Sequence, residues 1–264
     1  MSELTQLING LLEKMNAPVA RVLETLKKVF TENLSAVAVK GSVIRGDLIP
    51  YFSDLDIHVF VNETVLMLGQ APRAETAMAL QEVIGELDLE AFQLSSMQLT
   101  FNNTDRRPKT WSASPPEVSR VLYGSLPPYD LNSDNWQDDA LSVLEGLERE
   151  MTYELRSVPD KNNDGLARIV RRQGVFLKGG AYSLAGLIMK DIKRAQLLPY
   201  WELDDYLFNQ TDGRVDLRPF HEYARDWKAV RTSPPQLRKM FVIGTTQLQE
   251  LAAFEPQNVD GFVS

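Results

Sequence analysis

Cysteine is absent from this 264-residue chain, and histidine occurs only twice, as His58 and His221. The first absence excludes disulfides, thiolate zinc sites and cysteine nucleophiles; the second argues against a multi-histidine metal centre. Positive charge is also short, with 28 Lys and Arg against 36 Asp and Glu and a formal net charge of −8. Nucleic-acid binding ordinarily needs a basic surface to neutralise phosphates, so nucleic acid is not an expected partner, whereas a small cationic ligand is compatible. The most apolar stretch, 181–189, is too short to span a bilayer, and no membrane association is expected. Met1-Ser2-Glu3-Leu4 is not a basic segment followed by an apolar core, so no signal peptide is expected and a cytoplasmic location is the default.

What is present is an ordinary globular composition, 44% apolar and 24% charged, with enough chain for two modest domains. Leu4, Leu7, Ile8, Leu11, Leu12 and Met15 recur at helical spacing, and Val19, Val22, Leu23, Leu26, Val29 and Phe30 do so again after Pro18. A helix or broken pair is predicted up to about Glu32. Strands are predicted over 35–40, 54–61 and 92–101, with a short helix over 42–49 and another over 74–87. Prolines punctuate 102–135, which reads as a connection with one short helix near Val118 to Leu122. Beyond it, Leu141, Leu144, Leu147, Met151 and Leu155 form one helical stripe. Leu166, Ile169, Val170, Leu177, Ala181, Leu184, Ile188 and Ile192 form a second on a long helix that four glycines weaken locally. Further helical patterns cover 220–229 and 236–254. The expected fold class is α/β (α+β), with a small mixed-sheet domain over 1–130 and a helical bundle over 131–264.

The segment 37–61 carries the chemistry. An apolar run ends in Lys40-Gly41-Ser42, and after eleven intervening residues comes Asp54-Leu55-Asp56 at the head of a second apolar run. Residues two apart on a strand share a face, so Asp54 and Asp56 point one way while Leu55, Ile57 and Val59 point into a core. Two adjacent carboxylates repel unless a cation joins them, and Mg²⁺, which takes oxygen ligands and keeps substrate phosphates in its shell, suits them. A solvated strand end accounts for the same pair without metal, and helix capping accounts for Ser42 without phosphate. His58 and His221 read more simply as structural residues. Arg171 and Lys178, seven apart on the long helix, read more simply as a solvated basic face.

Gly41, Ser42, Arg45, Gly46, Ser53, Asp54 and Asp56 together resemble the signature of the polymerase-β-like nucleotidyltransferases, with the pattern closest to the aminoglycoside and lincosamide enzymes. The resemblance implies a nucleotidyltransferase domain followed by a helical domain. It implies transfer of a nucleoside monophosphate from ATP or another nucleoside triphosphate to a hydroxyl of a small molecule, with pyrophosphate released. Asp54 and Asp56 would hold Mg²⁺ or Mn²⁺. Gly41, Ser42, Arg45 and Ser53 would surround the nucleotide; Arg45 either adds charge near the phosphates or pairs with Asp47 or Asp54.

One departure stands out. The family pattern adds a third carboxylate from the next strand, and here Gln98 takes that place. Glutamine accepts hydrogen bonds but takes no proton at neutral pH. Asp88 and Glu90 would serve if the strand began earlier, and Glu148, Glu150 and Glu154 are the acids available in the second half. Two alternatives therefore stay open beside the small-molecule enzyme: a binding or regulatory protein that has lost turnover, and a nucleotidyltransferase acting on a protein or RNA. The acceptor, the nucleotide preference and the oligomeric state are not legible.

Overall fold

The computed structural model describes residues 15–62, 65, 71–104, 115–126 and 136–254. The chain divides into two compact units, Met1–Leu131 and Asn132–Ser264. Among the described residues they hold one four-stranded mixed sheet and ten α-helices, a mixed α and β architecture. The helical stripe expected over Leu4 to Leu12 lies outside the described residues.

In the first unit, helix α1 (Asn16–Phe30) presents Val19, Val22, Leu23, Leu26 and Phe30 on one buried face. Their spacing is the three-or-four step that keeps side chains on one side of a helix. Strand β1 (Leu34–Lys40) follows, then the one-turn helix α2 (Ser42–Arg45) and strand β2 (Asp54–Val61). Helix α3 (Ala74–Gly85) leads to strand β3 (Ser96–Asn103), and strand β4 (Ser119–Gly124) closes the unit. The strand order is β3-β2-β1-β4; β2 runs antiparallel to β1 and parallel to β3, and β4 runs antiparallel to β1.

One sheet face is apolar. Val37 and Val39 of β1, Leu55, Ile57, Val59 and Val61 of β2, and Leu122 of β4 join the α1 residues and Leu80 of α3 in a single core. Met97, Leu99 and Phe101 of β3 pack against it, and the Phe30 and Phe101 rings lie 5.8 Å apart. Each fully buried aliphatic or aromatic side chain contributes about 1.5–3 kcal/mol, so this face anchors the sheet. The strict alternation of β2 then obliges Asp54, Asp56, His58 and Phe60 to share the opposite face.

Three expectations need correction here. Helix α2 stops at Arg45 instead of running to residue 49, because Gly46 takes a left-handed conformation (φ 79°) and the chain turns away. Strand β3 starts at Ser96, not at residue 92. Gln93 just before it has φ 57°, and Tyr51, at φ 62°, donates its amide to the Gln93 carbonyl at 2.7 Å. The apolar patch near Leu122 is an edge strand, not a helix. Its short alternation among prolines hid the partner that β1 supplies.

The second unit is helical: α4 (Trp136–Ser157), α5 (Asn163–Met189), α6 (Ile192–Leu197), α7 (Tyr200–Gln210), α8 (Arg218–Arg225), α9 (Trp227–Val230) and α10 (Pro234–Ala253). The buried stripe of α4 is Ala140, Leu144, Leu147, Met151 and Glu154, one position away from the expected one at both ends. Leu141 and Leu155 are exposed, at 39% and 42%. Helix α5 ends at Met189, before the expected Ile192, which opens α6 after the Asp191 cap. Its glycines are packing points: a Cβ on Gly186 would lie 2.6 Å from Ile192 Cδ1 and one on Gly180 2.9 Å from Leu147 Cδ1. The patterned stretch 220–229 splits into α8 and α9. Buried polar pairs cross this unit. Gln173 of α5 donates to Thr245 Oγ1 of α10 at 3.0 Å, and His221 Nδ1 of α8 lies 2.5 Å from Asp204 Oδ2 of α7. His221 is thus a partnered interior residue.

Strand β4 depends on Gly124. Its φ is 66°, and a Cβ there would fall 1.9 Å from the Ser35 carbonyl oxygen. Backbone cannot yield as a flexible side chain can, so Gly124→Ala is expected to destabilise the first unit by more than about 1 kcal/mol. A lowered urea midpoint with unchanged slope is the readout; an unchanged midpoint would refute the β1–β4 pairing at that residue.

Candidate functional site

The polar sheet face carries Asp54 and Asp56, with Gln98 in register beside Asp56. Cross-strand register builds it in rows. Gln98 of β3 pairs with Asp56 of β2, Asp56 with Lys40 of β1, and Lys40 with Ser119 of β4. The next row is Thr100, His58 and Ala38, and on the other side Asp54 pairs with Ser96. Asp54 and Asp56 stand about 7 Å apart along their strand, at roughly 3.3 Å per residue.

The turn between β1 and α2 touches this row directly. Gly41 has φ 84° and ψ −146°, a region that is essentially glycine-only. A Cβ on Gly41 would sit 3.0 Å from Asp56 Oδ2, so the bare Cα leaves room for the carboxylate beside the turn. The turn is tied down by Gly41 N donating to Val118 O at 3.1 Å and by Ile44 N and Arg45 N donating to Gly41 O at 3.0 Å. The Ser42 and Val43 amides and the Ser42 hydroxyl have no hydrogen-bond partner among the described residues. No side chain caps α2, so the capping explanation for Ser42 does not hold.

Asp54 is fixed by its neighbours. Its Oδ1 accepts from Ser95 Oγ at 2.6 Å and from Ser96 Oγ at 2.7 Å. Such short distances are those of hydroxyls donating to a charged carboxylate. Ser95 and Ser96 were absent from the sequence reading; the only signal was a pair of hydroxyls at the head of a strand otherwise mostly long-chained. Ser53 uses its Oγ to accept the Ile49 amide at 2.9 Å, which closes the 49–53 loop. Arg45 pairs with Asp47, Nε to Oδ2 3.1 Å, with both side chains buried, which is one of the two roles open to it from sequence. Its charge is therefore balanced locally.

Asp88 Oδ1 accepts the Ala91 amide at 3.1 Å in the turn before β3, and Glu90 lies in that same turn. Glu154 is 1% exposed and pairs with Arg172 of α5, so it is committed to its own unit. An open groove of about 370 Å³ in that unit is lined by Tyr153, Ser157, Lys161, Arg168 and Arg172. Among the described residues no three His, Asp or Glu side chains converge as a metal-holding group. Among the described residues of the sheet, Asp54 and Asp56 are the carboxylates on this face, with Gln98 in register beside Asp56. Two carboxylates on one face, one of them in a cradle that a Cβ would fill, fit a single hard divalent cation.

Lys40 was legible only as the residue before Gly41. Its pairing with Asp56 brings an ammonium-bearing side chain onto the carboxylate face, and its charge is felt at His58. Burial, with the Lys40 charge second, pushes His58 down from the ordinary 6.5 to about 3. The ring is 7% exposed, and Asn102 Nδ2, which can only donate, lies 3.4 Å from its Nδ1.

Compared with known proteins, the chain matches no family model and no curated relative.

The His58 environment has a measurable consequence. A histidine with a depressed folded pKa is protonated first in the unfolded chain, so its contribution is whole above pH 6.5 and declines as pH falls toward 3. Between pH 7 and pH 5 the loss is about 2 kcal/mol. Urea unfolding over that range should show this decline in the wild type and not in His58→Gln, and parallel pH profiles would contradict it.

Proposed function

We propose that this protein transfers a nucleoside monophosphate, with ATP the first candidate donor, to a hydroxyl of a small molecule. The observation that carries the reading is the contact of Gly41 with Asp56. It sets two amides and a hydroxyl, without a hydrogen-bond partner among the described residues, near the Asp56 carboxylate, the combination that a metal–triphosphate complex needs. Amide N–H groups at a turn donate to phosphate oxygens, while carboxylates ligate the cation that accompanies them.

In this reading Asp54 and Asp56 hold Mg²⁺ or Mn²⁺, which when bound supplies Lewis-acid polarisation of the phosphoryl oxygens. Ser95 and Ser96 keep the Asp54 carboxylate oriented, so it meets the cation without first losing rotamer freedom. Gly41 keeps Asp56 close to the amides of Ser42 and Val43, which bind the outer phosphates. Arg45 holds the end of α2 through Asp47 and supplies no net charge to the phosphates. Ser53 shapes the loop entering β2. Gln98 lies opposite Asp56 and takes no proton from the attacking hydroxyl. Positioned general-base help is worth about 10²–10⁴-fold, and turnover is slow by comparison with a site that has a third acid.

Gln98 also favours a second reading, a protein of this architecture that binds nucleotide and metal without turnover. One assay separates the two. Pyrophosphate release from Mg-ATP is followed with a panel of aminoglycosides and lincosamides, beside Asp56→Ala, with product masses read from the same reactions. The expected result is acceptor-dependent release with a gain of one AMP, reduced at least about 10³-fold in the variant. Metal-dependent ATP binding without release supports the binding protein. No ATP binding at all refutes both.

A further inference from the structure

We infer that Lys40 is a built-in cation of the carboxylate site: its ammonium takes the charge role of a second divalent ion, so the site holds one metal ion and not two. This inference rests on the reading of Asp54 and Asp56 as metal ligands.

Three observations place Lys40 there. First, it is the register partner of Asp56, and directly opposed residues share a face with Cβ atoms about 4.5–5.5 Å apart. Second, β1 alternates strictly at this end: Val37 and Val39 belong to the core, which leaves Ala36, Ala38 and Lys40 on the carboxylate face. The two alanines make Lys40 the one long side chain that β1 contributes to it. Third, Gly41, the next residue, lies against Asp56 Oδ2. The Asp56 carboxylate therefore lies toward the Lys40 end of the row.

The charges then decide the stoichiometry. Asp54 and Asp56 supply two negative charges, Lys40 one positive, and Gln98 none; Arg45 and Asp47 cancel each other. Two-metal sites place their ions about 3.5–4 Å apart and need several carboxylates to offset the mutual repulsion. Without a bound triphosphate, one dication already brings this face to a net positive charge, and a second would add to it with no further acid on the face among the described residues. An ammonium cannot ligate metal, but as a compact point charge with three donors it can meet phosphate oxygens. The ligand class that follows is a nucleoside triphosphate carrying a single divalent ion, with Lys40 on the phosphate oxygens that a second ion would otherwise neutralise.

The test is Mn²⁺ binding to the full chain, counted from the free-ion electron paramagnetic resonance signal, in wild type, Lys40→Met, Lys40→Arg and Asp56→Asn. Wild type is expected to bind one Mn²⁺ per chain. Lys40→Met, which keeps the stem and removes the charge, should bind it about tenfold more tightly by relief of charge repulsion. Lys40→Arg should stay within about twofold of wild type, and Asp56→Asn should lose the site. Two equivalent ions in wild type, or unchanged affinity in Lys40→Met while Asp56→Asn loses binding, overturns the role of Lys40 and leaves the metal site standing. Wild-type binding in Asp56→Asn overturns the metal site itself. Superimposable thermal unfolding of Lys40→Met and Lys40→Arg shows that the comparison concerns charge and not folding.

Discussion

The site rests on the antiparallel pairing of β1 with β2. That register sets Lys40 opposite Asp56 and carries the chain from Lys40 straight into the glycine turn above the same carboxylate. A slip by one residue would turn Asp54, Asp56 and His58 into the core and Leu55, Ile57 and Val59 outward. The apolar face prevents it. Leu55, Val59 and Val61 are completely buried, so the core fixes the register that the polar face uses.

The conformational cost of the site is local. Gly41 occupies a region closed to other residues, and Tyr51 ahead of β2 and Gln93 ahead of β3 adopt left-handed backbone. Non-glycine residues in that region cost on the order of 1 kcal/mol each. The amide of Tyr51 bonded to the Gln93 carbonyl, and Ser95 N bonded to Ser53 O, over-determine the two bends together. The result is that the strand ends of β2 and β3 are joined where Asp54 receives its two serine hydroxyls. Strain, hydrogen bonding and carboxylate orientation are one arrangement.

The second unit solves a different problem with the same rules. Gln173, Glu154, Asp204 and His221 are polar groups inside a helical bundle, and each has a partner on another helix: Thr245, Arg172 or one another. Burying such groups costs stability unless they are bonded, so they specify which helix faces meet. This is why Glu154 replaces Leu155 on the inner stripe of α4. A leucine on the outer side costs little; an arginine-paired carboxylate on the inner side selects the rotation of the helix. Periodicity of apolar residues alone ranks the two the other way.

The amphipathic stripe of α1 and the alternation of β2 were legible in the residues, because each depends on neighbours within a few positions; the Gly-Ser turn and the Asp-x-Asp strand were legible as a spaced motif, and the β1–β2 pairing brings them together. The bounds of β2 follow from Asp54 to Val61 without any partner. Four things were not. β4 is a strand only because β1 offers it an edge. β3 begins at Ser96 only because Tyr51 captures Gln93. Arg45 had two acidic neighbours in reach, and the structure buries it against Asp47. Lys40 became part of the site through a register that no local pattern encodes. Sequence by itself determined which residues share a face of a strand or helix, since backbone periodicity is a local property. Tertiary structure alone decided which faces meet and which charges stand opposite one another, since those follow from pairing and burial between segments distant in the chain.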